Sequence, residues 1–282
     1  MYLLFDIGGT KVRYAVSKDG EAFENPVIVP SPGDDYEKAK KLFLDIKKEL
    51  SNVTIRSVVA GVAGPLSEDH SKLENSPHLK GWIGQPLKEE LEKIFEAPAY
   101  IENDAALVGL GEAVHGAGRG HEIVAYLSIS TGVGGSRLVR GTIDLNALGF
   151  EPGHQIIDPD GTFSCPGLGC NAPGHLEGYV SGRALEKRFG KKPALLEDPA
   201  VWDEAARWLA VGLNNTIVHW SPHVVVLGGS MMTGKPAIPL ESIRRYTKET
   251  VKIFSRLPLI EKGTLGDLGG LYGAMEFAKQ HA

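Results

Sequence analysis

The sequence predicts a mixed α/β protein of two lobes, and three observations carry that expectation. The chain has 282 residues, which suits two compact hydrophobic cores better than one. Apolar runs of strand character alternate along it with stretches of helical spacing. Most informative, the chain says nearly the same thing twice. Residues 3–16 read Leu-Leu-Phe-Asp-Ile-Gly-Gly-Thr-Lys-Val-Arg-Tyr-Ala-Val, and residues 124–139 read Val-Ala-Tyr-Leu-Ser-Ile-Ser-Thr-Gly-Val-Gly-Gly-Ser-Arg-Leu-Val. Each is an apolar strand, a small glycine-rich turn and a second strand.

In order along the chain, residues 1–30 read as β-hairpin structure, with Asp19-Gly20 as a turn. Residues 35–50 are charged with apolar positions at helical spacing, a surface helix. Val58–Val62 is a buried strand that runs into the turn Ala63-Gly64-Pro65, and Leu87–Phe95 is a short amphipathic helix. Ala99–Ile101 is a strand ending at Glu102-Asn103-Asp104, and a helix follows over Ala105–His115 with Asp104 at its N-cap. Gly116–Gly120 is a flexible turn and the expected lobe boundary, giving lobes of 1–117 and 118–270. The second lobe opens with the second hairpin at 123–143, then a long irregular stretch at 144–176. A loop of that length inside a compact domain is usually functional. Helices are expected at 181–189 and 200–220, a buried strand at Val224–Leu227 ending in Gly228-Gly229-Ser230, and a helix at 239–254. A strand at 257–261 and a helix from Leu271 to Lys279 complete the chain.

Bulk properties exclude several classes. The composition, 42% hydrophobic and 23% charged, is ordinary for a globular protein. The net charge of -5 argues against a nucleic-acid partner. No stretch is apolar enough to span a bilayer, so no membrane is expected. The N-terminus lacks a basic region and a signal-like core, so the expected location is cytoplasmic. The two cysteines, Cys165 and Cys170, make no disulfide framework; a metal site or reduced thiols fit better.

The candidate chemistry begins at the glycines. A dinucleotide fold or a P-loop runs from its glycines into a helix. Here Val12–Val16 alternates like a strand, so both glycine tracts are hairpin turns. Glycine lets backbone N–H groups approach an anion closely. Gly8, Gly9, Thr10 and Lys11 in the first turn, and Thr131, Gly132, Val133 and Gly134 in the second, are the candidate phosphate contacts. Two such turns facing each other across a cleft would clamp a nucleotide. Asp104, at a strand end, is either a general base for a hydroxyl or a plain helix cap. Asp6 either holds Mg²⁺ through water or stabilises its turn. Glu151, His154 and Glu177 suit hydrogen bonds to vicinal hydroxyls, against a reading as solvated loop charge. His154, Cys165, Cys170 and His175 could form a closed tetrahedral zinc site, or be buried thiols beside a substrate histidine. Gly228-Gly229 lets a flat group such as adenine approach the backbone, or is a structural turn.

These tracts, in this order, resemble the ROK family of sugar kinases within the actin-like ATPase superfamily. The specific pieces are Asp6-Ile7-Gly8-Gly9-Thr10-Lys11, Ser76-Pro77-His78-Leu79 with Gly81-Trp82, and Glu102-Asn103-Asp104-Ala105. In the second half they are Ser130-Thr131-Gly132-Val133-Gly134-Gly135, Glu151-Pro152-Gly153-His154 and Leu227-Gly228-Gly229. The resemblance implies two actin-like α/β lobes with ATP and Mg²⁺ in the cleft, and phosphoryl transfer to a hexose hydroxyl. It implies Asp104 as the catalytic base, and Gly64, Asn103, Glu151, His154 and Glu177 as sugar ligands. It further implies a C-terminal helix, 271–282, packed on the first lobe, and a homodimer. Two departures stand out. Zinc-binding members carry Cys-x-Cys-Gly-x-x-Gly-Cys-Leu-Glu, whereas here Leu168 and His175 stand at two of those cysteine positions. His78 stands where Asn is common. The rival reading is a sugar-sensing regulator of the same family; Asp6 lies too near the start of this sequence for a DNA-binding module to precede it.

Overall fold

The computed structural model describes residues 1–76, 78–166 and 170–281. Pro77, Leu168 and Ala282 lie outside the described residues. The chain divides into two compact units, one of residues 1–111, 145–149 and 267–282, the other of residues 112–144 and 150–266.

The first unit is built on β1 (Tyr2–Ile7), β2 (Lys11–Ser17), β3 (Phe23–Pro30), β4 (Ser57–Val62) and β5 (Ala99–Asn103), with α1 (Tyr36–Glu49) and α2 (Leu87–Phe95) between them and α3 (Asp104–Val114), whose last three residues fall in the second unit, after β5. The sheet order is β3-β2-β1-β4-β5, antiparallel from β1 to β3 and parallel from β1 to β5. β4 has all six residues buried, as expected of a central parallel strand. α1 forms because Asp35 caps it, accepting from the Lys38 N–H, and because Tyr36, Ala39, Phe43 and Ile46 recur on one face that the core covers.

The second unit holds β6 (Ile123–Ile129), β7 (Val133–Val139), β8 (Thr142–Ile143), α4 (Glu177–Val180), α5 (Gly182–Phe189), α6 (Pro199–Trp220), β9 (Val224–Gly228), α7 (Ser230–Thr233), α8 (Leu240–Thr250) and β10 (Leu259–Lys262). Its sheet runs β10-β9-β6-β7-β8. Taken from the other edge this is the first sheet again: two antiparallel neighbours on one side of the leading strand and two parallel ones on the other. The echo in the sequence is therefore the leading hairpin of each sheet. Residues 144–176 carry no strand or α-helix among those described, only a single 3₁₀ turn at Pro152–His154 and isolated bridges. α9 (Gly269–Gln280) belongs to the first unit and packs on β1 and β4.

One expectation needs correction. The residue that caps α3 is Asn103: its Oδ1 accepts from the Ala106 N–H at 3.1 Å, the geometry of a cap bonding three residues on. Asp104 is the first helical residue, and its Oδ1 accepts the adjoining Ala105 N–H, at 2.8 Å. β5 runs two residues further than its apolar part suggests because Glu102 and Asn103 pair in register with Gly61 and Val62.

The core of the first unit centres on Phe5, fully buried, whose ring meets those of Tyr14, Phe43 and Phe95 at centroid distances of 6.0, 5.5 and 5.9 Å. Phe5→Ala should cost about 3–5 kcal/mol through lost burial and the cavity left behind. Urea unfolding of the two proteins measures it, and a loss under about 1 kcal/mol would contradict this packing.

Candidate active site

In the first unit, β1, β4 and β5 are parallel, and their carboxyl ends bring the candidate residues together. The carboxyl edge of a parallel sheet is where α/β folds bind ligands. Asp6, the last residue but one of β1, sits in register with Gly61 of β4, which in turn pairs with Glu102. Asp104 follows one residue beyond β5. The turn after Asp6 is closed by the Gly8 N–H donating to the Lys11 carbonyl at 3.0 Å. Gly8 and Gly9 are half-buried, while Thr10 and Lys11 are exposed. The Asn103 amide donates to the Gly64 carbonyl at 3.1 Å, so that side chain holds the turn after β4 while it caps α3.

The two aspartates share one electrostatic environment. Asp104 keeps a solvent-accessible edge, yet the protein around its carboxyl strips away most water; this desolvation, with the negative charge of Asp6, pushes its pKa up to about 6 against the ordinary carboxylate value near 3.8. Asp6 is also raised, again by desolvation, but the Arg13 guanidinium opposes the shift. Arg13 stands opposite Asp6 in the β1–β2 register, donates to its Oδ2 at 3.1 Å and also bridges to Asp267 at 3.2 Å. Arg13 was not among the expected site residues, although the hairpin register that places it across from Asp6 is readable from the sequence.

The second unit repeats the arrangement with different side chains. The turn between β6 and β7 is closed by the Ser130 N–H donating to the Gly132 carbonyl at 2.8 Å. α5 starts against it: the N–H groups of Gly182 and Arg183 donate to the carbonyls of Ser130 and Thr131 at 2.7 and 3.2 Å. Glu177, at the start of α4 and buried, braces the turn from beneath, accepting the Val133 N–H at 2.9 Å on one oxygen. A methyl group at residue 132 would stand 2.6 Å from that oxygen, so the carboxylate and a glycine at 132 require each other. The other Glu177 oxygen accepts from the Cys165 thiol at 3.3 Å. Gly228 ends β9 and Gly229 has φ +85°; Ser230, next in line, lies 3.1 Å from Ser130, hydroxyl to hydroxyl. Beside these residues a cavity of about 380 Å³ opens, lined among others by Thr131, Arg183, Trp202, Met231, Lys235 and Pro236. Nothing local in the sequence marks Arg183, Trp202 or Lys235; only the fold brings them there.

His154, Cys165, Cys170 and His175 do converge, with one potential ligand atom from each lying within 4.8 Å of all the others. Cys170 Sγ is 3.3 Å from His175 Nδ1 and 3.5 Å from His154 Nδ1, and the two Nδ1 atoms are 3.3 Å apart. Burial and the neighbouring His154 hold the His175 pKa below its usual value, which favours the neutral imidazole that ligates metals. His154 Nε2 also approaches Glu151 at 3.9 Å, with both side chains partly exposed.

Set beside known proteins, residues 2–281 match the model of the ROK family. The chain belongs to the ROK family. Its similarity to the N-acetyl-D-glucosamine kinase of Yersinia pseudotuberculosis is 30% identity over 299 residues, covering 97% of each chain. Among solved structures, this ROK protein resembles the ROK hexokinase from Thermus thermophilus (28% identity, TM-score 0.82, 100% and 99% of the two chains). It also resembles the ROK family glucokinase from Streptomyces griseus, solved with glucose and AMPPNP (26% identity, TM-score 0.81, 99% of each chain). The two five-stranded sheets are those of the actin-like ATPase fold that these kinases share.

The paired carboxyls set a measurable titration. The Asp104 carboxyl should titrate near pH 6 by NMR, and Asp6→Asn should bring that midpoint down by removing a neighbouring negative charge. Because the folded value exceeds the unfolded one, the native state holds a proton between about pH 4 and 6 that the unfolded chain has released. The stability contribution of this group is thus larger at the acidic end of that window and falls as pH rises through it. A midpoint in the ordinary carboxylate range would contradict the desolvated setting.

Proposed function

We propose that this protein transfers the terminal phosphoryl group of ATP to a hydroxyl of a hexose or N-acetylhexosamine. The observation that carries the reading is Asp104: a desolvated carboxylate with its pKa near 6, beside a glycine turn at the carboxyl edge of a parallel sheet. A sugar hydroxyl is a poor nucleophile, and a carboxylate of this kind takes its proton as the phosphoryl group arrives. Family membership and the named kinases above support the same reaction.

In this reading each residue has a part. Asn103, Gly64, Glu151, His154 and Glu177 orient the sugar; the lone pairs of Glu177 not used by Val133 and Cys165 remain for hydroxyls. The backbone N–H groups at Gly8, Gly9 and Thr10, with the Lys11 ammonium, and those at Thr131–Gly134, receive phosphate oxygens. The cavity beside Gly229 and Ser230 suits a nucleoside: Trp202, Met231 and Pro236 offer apolar faces to a base, and Arg183 and Lys235 offer cations to phosphate. Asp6 would hold Mg²⁺ through water, and that ion supplies neutralisation of the phosphate charge. Screening ATP consumption against a panel of hexoses and N-acetylhexosamines tests the proposal; no sugar-stimulated turnover on any of them refutes it. Asp104→Asn should lower kcat by about 10²–10⁴. In the wild type kcat/KM should fall as pH drops through about 6, because protonation removes the base.

The donor set of His154, Cys165, Cys170 and His175 fits a structural zinc ion: two thiols, two imidazoles, and separations compatible with a tetrahedron. In this reading Cys165 and His175 supply the ligands for which the usual family pattern has other cysteines. Zinc would pin the 150–176 loop, which has little regular structure of its own. Metal analysis of purified protein should find one zinc per chain, and Cys170→Ser should lose it together with several degrees of thermal stability.

A further inference from the structure

Ser76 and residues 78–82 are held by several hydrogen bonds. Ser76 is buried; its hydroxyl donates to the Ala63 carbonyl at 2.7 Å and accepts the N–H groups of His78 and Leu79 at 3.3 and 3.1 Å. The Lys80 N–H donates to Asp34 Oδ1 at 2.7 Å, and the Trp82 indole N–H donates to the Gly33 carbonyl at 2.9 Å. Trp82 is itself part of the core. This bracing fixes His78 against the first glycine turn. A methyl group at residue 9 would stand 2.5 Å from His78 Cβ, 2.9 Å from Cγ and 3.4 Å from Nδ1, so the imidazole rests on Gly9 with only a hydrogen between them.

A ring that merely filled space there would be served by Phe or Leu. Imidazole instead brings an N–H donor, and a positive charge when protonated, to a turn whose amides already suit an anion. We propose that His78 is a further phosphate-contacting residue: its ring N–H donates to an oxygen of the phosphoryl group received at Gly8–Gly9. The inference rests on the phosphotransfer reading above and extends it to a residue that reading does not use.

Two substitutions separate donation from packing. His78→Phe keeps an aromatic ring against Gly9 but has no donor; His78→Gln keeps a donor and loses the ring. Calorimetric titration of the full-length proteins with Mg·AMPPNP reads the difference directly. His78→Phe should weaken binding about ten-fold, the scale of one hydrogen bond to a charged group, while His78→Gln stays within about three-fold of wild type. Should His78→Phe fail to fold, His78→Ala replaces it in the same comparison. Wild-type affinity in the donor-less variant, or equal losses in both, overturns the inference alone. A wild-type protein that does not bind Mg·AMPPNP overturns the phosphotransfer reading and this inference with it.

Discussion

The partial desolvation of two carboxyls at the end of a parallel sheet is the constraint on which the first unit's candidate site depends. Asp6 lies near the end of β1 and Asp104 one residue past β5, with β4 between those strands, and the charge of Asp6 adds to the shift at Asp104. In water, two such groups would both ionise near pH 4. Here the surrounding protein raises both, and Arg13 restrains the rise at Asp6 alone. Desolvation thus raises both groups, with a guanidinium opposing the rise at Asp6 and the charge of Asp6 adding to it at Asp104. Two like groups with unlike surroundings are a common way for a site to obtain a base near neutral pH.

The glycine turn of each sheet is held by close approach to a side chain of its own unit. At residue 9 the neighbour is an imidazole; at residue 132 it is the carboxylate of Glu177. In each case a Cβ would displace the partner, so side chain and turn pack with no room for one. The hydrogen bonds from α5 to the Ser130 and Thr131 carbonyls also hold the second turn. The zinc-type cluster continues this bracing, because Cys165 bonds to the same Glu177 that supports residues 132 and 133.

One sheet plan is repeated in both units. Each leading hairpin ends in a glycine turn at the same place in its sheet. The first sheet then gains Asp6, Asn103 and Asp104, carboxylate and amide chemistry. The second gains Glu177, the imidazoles and a cavity with cationic members at its wall. The same topology is thus fitted with two different sets of polar side chains.

The sequence by itself determined the elements and their local turns. The Gly-Gly-Thr-Lys tract followed by an alternating Val12–Val16 can only be a hairpin, and the spacing of Tyr36, Ala39, Phe43 and Ile46 makes a one-sided helix, because these are contacts among residues a few positions apart. The place of Asp104 just past a strand end and the cluster of two cysteines and two histidines were also legible, since strand pattern marks the one and residue type the other. Which residue caps α3 was not, because Asn103 and Asp104 are both competent caps and only the backbone path selects between them. Nor were the pairings across long separations: Glu177 with Val133, His78 with Gly9, Trp202 and Lys235 on one cavity wall. Those were decided by tertiary structure, since the direction in which a side chain leaves one element selects its distant partner only after the sheets and helices have packed.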